Sequence, residues 1–396
     1  MSDLFITGIG HLTTNDAPPI SDAVVAIDDG TITYAGSIAD APDQERRERL
    51  DVSGNAVIPG FVDAHTHLVF DGDRSGEFAR RLAGESYSEI SAAGGGILST
   101  VEATRSASED ALFALAAKRV WTMIRGGTTT VEIKSGYGLD LETELRLLRV
   151  ARRIGDELPV TVRTTFLGAH SVPPEYRSDR DGYVDLVIDE MLPLVADLAD
   201  FCDVFVENGV FGVDEARTIF EAGKTLGLPP RVHAEQLSHL GGAALAAEIE
   251  ASSADHLDHV TPEDAAALAA AGVTCVLVPG AAYTLGTPQP SGRMLWDAGC
   301  TVALATDCNP GTSYIETMGL VISLGVVQMG LTVEEAIWAA TRGGALSLSL
   351  EDRGQIKEGS PADLVVLDAP SPAHIPYRPA SNLVGSVIKW GVLVAG

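Results

Sequence analysis

The stretch PGFVDAHTHL, residues 59–68, combines a strand-like apolar pattern with two closely spaced histidines. A short apolar run ends here in Asp63, His65 and His67. On an extended strand, residues i and i+2 point to the same side, so both imidazoles can converge on one metal ion. A His-x-His pair also arises by chance in many proteins, where it is a surface or core pair without metal. The weight of this pattern therefore depends on its surroundings.

Seven further β-rich runs follow and alternate with helical segments, which indicates repeated βα units and a parallel sheet. The eight runs are PGFVDAHTHL (59–68), TTTVEIKS (128–135), VTVRTTFLGAH (160–170), DVFVENG (203–209), RVHAEQ (231–236), ADHLDHV (254–260), VTCVLVPG (273–280) and TVALATDC (301–308). The predicted helices between them cover 108–127, 141–158, 213–227 and 261–272. Eight is the strand number of a closed (β/α)8 barrel, so the sequence predicts an α/β protein of the TIM-like type.

Both ends of the chain have the pattern of short strands and turns. Residues 1–56 contain an Asp29-Gly30 hairpin signal, and residues 355–396 contain further short strands. Each end alone is too short for a good core, so independent end domains are the weaker alternative. We therefore predict that 1–56 and 355–396 form one composite β-sandwich beside a barrel over 57–354.

The charge of the chain is strongly negative. It has 55 Asp and Glu against 27 Lys and Arg, a formal charge of -28, and lysine occurs only at 118, 134, 224, 357 and 389. Nucleic-acid binding is not expected, because neutralising phosphates requires a basic face. Such a surface suits a salt-rich cytoplasm, where self-repulsion is screened, although an ordinary acidic enzyme is the alternative.

The cysteines and the apolar runs predict a soluble protein of the cytoplasm without membrane contact. The four cysteines form no C-x-x-C pair and are too sparse for a disulfide framework, so we expect reduced thiols that fill the core. The start of the sequence has no signal-peptide pattern, and nowhere do 18 uninterrupted apolar residues occur.

Chemically reactive side chains recur at the ends of the predicted strands. In a barrel of this type the reacting groups lie at the C-terminal ends of the strands. His233 ends the fifth run, His256 the sixth and Asp307 the eighth. Chance does not explain this recurrence together with the His-x-His pair of the first run. The pattern predicts a metal centre.

The set of His-x-His, His, His and Asp on strands one, five, six and eight resembles the amidohydrolase superfamily, for which VIPGFVDAHTHL is a characteristic opening. The longer strings that resemble its imidazolonepropionase family are HTHLVFDGDR, EIKSGYGL, FLGAHSVPPEY, HAEQLSHLGG, ADHLDH and ATDCNPG. The resemblance covers nearly the whole chain. It implies a hydrolase of histidine catabolism that opens the imidazolone ring of 4-imidazolone-5-propanoate to N-formimidoyl-L-glutamate.

The resemblance also implies one metal ion per subunit, Zn²⁺ or Fe³⁺. Its implied ligands are His65, His67, His233 and Asp307. A binuclear relative would carry a carbamylated lysine near the fourth strand, but DVFVENG has none and Lys134 lies on the second run. The implied reaction is attack of metal-activated water on the lactam carbonyl.

The implied catalytic residues are Asp307, His256 and Gln236. We expect Asp307, with His256 beside it, to take the proton and pass it to the departing ring nitrogen; which of the two accepts it first stays open. Gln236 stands where many mononuclear deaminases have a glutamate, and an amide cannot shuttle a proton at pH 7, so it is expected to orient the ring. Glu235 either projects into the site or lies at the surface, and the surface is the expected position.

The substrate's propionate needs a cation, and an arginine fork can hold a carboxylate bidentately. The implied substrate contacts are Arg74, Tyr137, His170, Gln236, Asn309, Gly311 and Thr312. The resemblance suggests a homodimer.

Two other functions stay open at this stage. The first is a cyclic amidohydrolase or aminohydrolase that acts on a purine, pyrimidine or triazine ring, which would not need Arg74, Tyr137 and His170 together. The second is an inactive relative that serves as a scaffold. Loss of metal ligands would mark such a relative, and none of the four is lost.

Overall fold

The computed structural model describes residues 4–41, 48–85 and 95–396. The strands of these residues are β1 (Leu4–Ile9), β2 (His11–Leu12), β3 (Ala23–Asp28), β4 (Thr31–Ser37), β5 (Glu48–Asp51), β6 (Ala56–Pro59), β7 (Phe61–Asp63), β8 (Thr128–Lys134), β9 (Thr161–Ala169), β10 (Phe201–Phe205), β11 (Pro230–Ala234), β12 (Ser253–His256), β13 (Thr274–Leu277), β14 (Val302–Leu304), β15 (Leu364–Leu367), β16 (Val384–Lys389) and β17 (Val392–Ala395). They form three sheets, of eight, five and four strands.

The eight-stranded sheet is the predicted barrel. Its strands β7 to β14 lie side by side in chain order, and every neighbouring pair is parallel. Each of the eight predicted runs supplies one of them. Strands buried on both faces read as continuous apolar runs, which is why these segments could be recognised in the sequence.

Helices connect the barrel strands and cover the outside of the sheet. The α-helices of the described residues are α1 (Ser75–Leu82), α2 (Ile97–Ser106), α3 (Glu109–Arg125), α4 (Leu141–Glu157), α5 (Arg180–Asp185), α6 (Leu192–Val195), α7 (Val213–Thr225), α8 (Gly242–Glu248), α9 (Pro262–Ala271), α10 (Pro279–Leu285), α11 (Gly292–Asp297), α12 (Met318–Val327), α13 (Val333–Trp338), α14 (Gly344–Ser347) and α15 (His374–Tyr377). The four predicted helices are confirmed as α3, α4, α7 and α9. None of the described helices is long and apolar enough to cross a bilayer.

The start of α9 follows the capping signal in the sequence. The Thr261 hydroxyl accepts a hydrogen bond from the Asp264 N–H at 3.2 Å, and the Asp264 carboxylate accepts one from the Thr261 N–H at 3.0 Å. Pro262 occupies the first helical position, where its missing N–H costs nothing. This reciprocal pair satisfies two donors that the helix itself leaves without partners.

The two smaller sheets form the β-sandwich. One sheet has the order β4-β3-β1-β5, and the other has the order β17-β16-β15-β6-β2. A single apolar cluster joins them, with Ile6 and Val25 from the first sheet and Val57 and Leu364 from the second. Because β6 lies between β2 and β15, both ends of the chain share one sheet. The barrel with a composite sandwich is confirmed, while the limits 1–56, 57–354 and 355–396 stay a prediction.

Two smaller expectations also hold. Asp29 and Gly30 join β3 to β4 with positive φ values of 45° and 79°, the conformation that the Asp-Gly hairpin signal indicates. All four cysteines are free and buried, so they pack as small apolar side chains.

The barrel closes between its last and first strands. The Asp307 N–H donates a hydrogen bond to the His65 carbonyl at 3.0 Å. Just below it, the Asp63 carboxylate accepts hydrogen bonds from the Thr306 N–H at 3.0 Å and the Thr306 hydroxyl at 2.7 Å. Closure therefore runs through the residues that flank and include the expected metal ligands.

We expect Thr306→Val to lower the free energy of unfolding by about 2 kcal/mol, because a buried carboxylate oxygen of Asp63 loses its hydroxyl donor without a change of side-chain shape. Denaturant unfolding followed by circular dichroism measures the difference. Thr306→Ser keeps the hydroxyl and is the control. Equal losses in the two variants would contradict a role for this hydrogen bond.

Candidate metal centre and its cavity

Five buried side chains meet at the C-terminal ends of the barrel strands. His65, His67 and His233 each offer a ring nitrogen, and these nitrogens lie within 4.8 Å of one another. His65, His256 and Asp307 form a second such group with the same limit. Asp307 Oδ1 lies 3.5 Å from His65 Nε2 and 3.6 Å from His67 Nε2. The donors that the sequence placed on four separate strands are thus in one cluster.

Several of the atoms in this cluster that could bind a metal ion have no hydrogen-bond partner among the described residues. They include His65 Nε2, His233 Nε2 and Asp307 Oδ2. Buried polar atoms without partners are rare in proteins, and one common reason is a bound ion. Imidazole nitrogens with a carboxylate oxygen are ligands that suit Zn and Fe. The donor set therefore fits a metal ion.

Two carboxylates behind the cluster orient the imidazoles. His65 Nδ1 lies 2.6 Å from Asp255 Oδ2, and His233 Nδ1 lies 3.0 Å from Asp203 Oδ2. An ionised carboxylate only accepts hydrogen bonds, so each Nδ1 carries the hydrogen and each Nε2 keeps a lone pair. This arrangement directs the free nitrogens of both rings to the centre of the cluster.

The two carboxylates belong to a buried charge network that the sequence analysis missed. Lys134 Nζ lies 2.8 Å from Asp203, 2.9 Å from Glu132 and 3.4 Å from Asp255. Arg231 Nη2 lies 3.3 Å from Asp255. All five side chains are fully buried inside the barrel. Charged residues within otherwise apolar strand runs were the signal that could have located this network.

Burial keeps the imidazoles of the cluster neutral. It lowers the pKa of His65, His67 and His233 well below the usual histidine value, and neighbouring positive groups lower it further. Burial also lowers the pKa of His256 to about 4. Neutral imidazole is the form that binds metal, so at neutral pH these side chains need not lose a proton first.

The backbone is unusual where two of these side chains leave their strands. His256 has a φ of 76° and Asp307 has a φ of 50°. Residues other than glycine rarely adopt this left-handed region, and such strain concentrates at functional sites. Both side chains line the same cavity, so the left-handed turns serve to place them at the barrel mouth.

The cavity above the cluster has a volume of about 380 Å³. Every predicted site residue except the fully buried His65 lines it: His67, Arg74, Tyr137, His170, His233, Gln236, His256, Asp307, Asn309, Gly311 and Thr312. The remaining lining residues had not been predicted. Six are apolar, Phe78, Ile97, Phe205, Val210, Leu237 and Leu285, and three are polar or charged, Glu77, Arg81 and Ser171.

Arg74 lies in the wall of the cavity at the start of α1. Its Nε donates a hydrogen bond to Glu77 Oε2 at 2.9 Å. Gly311 makes room for the guanidinium, because a Cβ at that position would lie 2.5 Å from Arg74 Nη1. The sequence analysis did not select Glu77, although its i,i+3 spacing from Arg74 at a helix start could have indicated the pair.

His170 and Tyr137 are neighbours in the cavity wall, with ring centroids 5.4 Å apart and an interplanar angle of 53°. His170 Nδ1 lies 2.9 Å from the Gly136 carbonyl, which can only accept, so Nδ1 carries the hydrogen and Nε2 is an acceptor. Burial lowers the pKa of His170 to about 4 and raises that of Tyr137 above its usual value. At neutral pH the wall thus offers a neutral imidazole and a protonated phenol.

Comparison with known proteins identifies the family. The model of the amidohydrolase family matches residues 56–394. Imidazolonepropionases are similar over nearly the whole chain. The protein of Caulobacter vibrioides is 51% identical over 367 residues, covering 92% of each chain. The protein of Mycolicibacterium smegmatis is 47% identical over 401 residues, covering 100% of this chain and 98% of the relative. The chain belongs to the amidohydrolase family and, within it, to the imidazolonepropionases.

The same family fold occurs in solved structures of low sequence identity. A 5-methylcytosine deaminase from Klebsiella pneumoniae superposes with a TM-score of 0.76 at 18% identity, covering 98% of this chain and 97% of that chain. An adenosine deaminase from Xanthomonas campestris with bound zinc superposes with a TM-score of 0.73 at 19% identity, covering 99% and 92%. These similarities establish the amidohydrolase fold and carry no information about the substrate.

The expected surface position of Glu235 is wrong. The side chain of Glu235 is fully buried. Its carboxylate accepts hydrogen bonds from the N–H groups of Leu240 at 2.7 Å, Gly241 at 3.0 Å and Ala243 at 3.1 Å. The residue that caps α8 is a glycine without a side chain. Glu235 supplies the missing acceptor and fixes the helix that follows the metal-ligand strand.

Asn309 shapes the loop that follows Asp307. Its Oδ1 accepts hydrogen bonds from the N–H groups of Gly311 and Thr312, both at 2.8 Å, and its Nδ2 donates to the Asp307 carbonyl at 2.7 Å. The amide of Asn309 is therefore largely used within its own loop. These hydrogen bonds fix Gly311 beside Arg74 and fix the backbone of Asp307.

We expect Asp255→Asn to weaken metal binding about 10- to 100-fold, because His65 loses the anionic acceptor that orients its ring. Metal content at equilibrium with a chelator measures the affinity. Asp200→Asn is the control, since this carboxylate pairs with Arg163 at 2.9 Å before β10 and does not line the cavity. Equal metal affinity in the two variants would show that the Asp255 contact does not support the site.

Proposed function

We propose that this chain is a metal-dependent hydrolase that opens the imidazolone ring of 4-imidazolone-5-propanoate to N-formimidoyl-L-glutamate in histidine catabolism. One observation carries the proposal. A single cavity is lined both by the metal-type donor cluster and by a wall of Arg74, Tyr137 and His170. The cluster supplies ligands for a metal ion that activates water for hydrolysis of a cyclic amide. The wall supplies groups that bind an anionic substrate with a ring.

His65, His67, His233 and Asp307 are the proposed ligands of one Zn²⁺ or Fe³⁺ per subunit. When bound, such an ion polarises a carbonyl and lowers the pKa of a water ligand from 15.7 to about 7. Lys134 is not available as a carbamylated bridge, because three carboxylates surround its ammonium group. The chain's own residues thus favour a mononuclear centre.

Asp307 and His256 are the proposed proton carriers. Asp307 Oδ2 and His256 Nδ1 have no hydrogen-bond partner among the described residues, and both side chains line the cavity. Burial raises the pKa of the Asp307 carboxyl well above its usual value, whereas a bound cation acts in the opposite direction, so the proposed role rests on the position of Asp307 in the cavity. In the proposed reaction Asp307 takes the proton of the attacking water and delivers it to the departing ring nitrogen, with His256 beside it.

The proposed substrate contacts follow from the chemistry of the wall. The guanidinium of Arg74 pairs with the propionate, since two of its nitrogens can meet a carboxylate at once. The protonated phenol of Tyr137 donates a hydrogen bond, and His170 Nε2 accepts one. Gln236, which cannot carry a proton, orients the ring with its amide. Asn309, Gly311 and Thr312 form the remaining edge of the cavity.

We also propose that the enzyme works as a homodimer in the cytoplasm, and that this cytoplasm is rich in salt. The four free, buried cysteines favour a reducing compartment, and the homodimer rests on the family resemblance. The formal charge of -28 favours high salt, where the Debye length falls to roughly 3 Å at 1 M.

The metal-loaded protein is expected to consume 4-imidazolone-5-propanoate and to produce N-formimidoyl-L-glutamate, as followed by the loss of the substrate's ultraviolet absorbance. Activity should hold or rise between low and molar salt, because salt screens the negative surface more than a contact inside the cavity. Absence of turnover at both salt concentrations, with bound metal verified, would overturn the proposal. A steep loss of activity with salt would contradict only the proposed habitat.

We expect Arg74→Ala to raise KM at least about tenfold, since the propionate loses its charge-assisted partner, while metal content stays unchanged. Steady-state kinetics and metal analysis measure both quantities. Arg80→Ala removes a partly exposed arginine from the same helix and is the control. An unchanged KM in Arg74→Ala would refute the carboxylate contact.

A further inference from the structure

The side chain of Glu77 joins two helices that border the cavity. Its Oε2 accepts the hydrogen bond from Arg74 Nε at 2.9 Å. Its Oε1 accepts hydrogen bonds from the Gly96 N–H at 3.1 Å and the Ser99 hydroxyl at 3.0 Å. Gly96 and Ser99 lie at the start of α2, whereas Arg74 and Glu77 lie at the start of α1. Both carboxylate oxygens are therefore engaged, and neither can turn without loss of a contact.

This contact leaves Arg74 only one free edge. A guanidinium has five N–H donors, and Glu77 uses the one on Nε. Glu77 is the only ion-pair partner of Arg74 among the described residues. A Cβ atom at position 311 would lie 2.5 Å from Arg74 Nη1, so Gly311 leaves the space that this nitrogen needs. Glu77 therefore holds the guanidinium at Nε, and the remaining donors on Nη1 and Nη2 are available to a ligand in the cavity.

The ion pair of Arg74 and Glu77 is also largely shielded from solvent, so the orientation of the guanidinium affects ligand binding. The side chains of Arg74 and Glu77 are only 13% and 18% exposed. Arginine has many rotamers, and an unheld side chain must lose this freedom each time it binds a carboxylate. A guanidinium that is already fixed meets the ligand with its donors in place, which lowers KM without a change in the chemical step.

We propose that Glu77 is a positioning residue that fixes the guanidinium of Arg74, so that its Nη edge receives the substrate's carboxylate. The inference rests on the proposed function, because it requires that Arg74 binds the propionate. Glu77 also lines the cavity, but both of its carboxylate oxygens are engaged by Arg74, Gly96 and Ser99, so its proposed effect on the substrate is indirect. It acts through Arg74, and this dependence can be measured.

A double-mutant cycle of Glu77→Gln and Arg74→Ala tests the proposal. In the presence of Arg74, Glu77→Gln should raise KM about five- to tenfold with kcat within about twofold, because the neutral amide holds Nε weakly. In the Arg74→Ala background the same substitution should change KM less than about twofold. Glu102→Gln, which removes an exposed carboxylate from α2, is the control for the loss of one negative charge.

The outcomes separate this inference from the proposed function. Equal increases of KM with and without Arg74 would overturn it, since Glu77 would then act independently of the arginine. An unchanged KM in Glu77→Gln, while Arg74→Ala raises KM, would also overturn it and leave the proposed function intact. An unchanged KM in Arg74→Ala would instead refute the carboxylate contact itself, and the inference with it.

A second variant covers the case in which Glu77→Gln does not fold. Ser99→Ala removes the hydroxyl that anchors Glu77 Oε1 and leaves Arg74 in place. It should raise KM about two- to threefold with Arg74 present and not change it in the Arg74→Ala background. Equal effects in both backgrounds, or none in either, would count against the proposal.

Discussion

The hydrogen bond between the Asp307 N–H and the His65 carbonyl links closure of the barrel to assembly of the donor cluster. It joins the last barrel strand to the first at the level of the cavity floor. The side chains of the same two residues also supply possible metal-ligand atoms to the cluster, and Asp307 Oδ1 lies 3.5 Å from His65 Nε2. Closure of the sheet and spacing of the donors are therefore one geometric condition. The Asp63–Thr306 hydrogen bonds reinforce this junction one layer below.

The charges inside the barrel are explained better by positioning than by stability. Removing an ion from water costs several kcal/mol even after relaxation, and attraction between buried partners offsets this cost only when the geometry is good. Glu132, Lys134, Asp203, Arg231 and Asp255 would be replaceable by apolar side chains if packing were their only role. Their arrangement has another use, because Lys134 and Arg231 hold the carboxylates that in turn orient His65 and His233.

The sequence predicts the barrel well because apolar strand runs alternate with helical segments, and the structure brings the histidines and the aspartate at the strand ends into one cluster. His233, His256 and Asp307 follow recognisable apolar runs, so their convergence needs only the barrel topology. Glu235 defeats this reasoning. The chain turns at that residue with a φ of 54°, which directs the carboxylate into the interior, and neither the turn nor the missing cap of α8 is visible in a strand pattern. Glu77 was missed because its importance depends on where Gly96 and Ser99 lie in space.

The claim that closure and metal binding share the same residues has a direct test. Diffraction from crystals of the metal-loaded enzyme, recorded at the zinc or iron absorption edge, locates the bound ion without assumptions about ligands. We expect one anomalous peak per chain among His65, His67, His233 and Asp307. Two peaks in the cluster, or a single peak bound elsewhere in the chain, would contradict it.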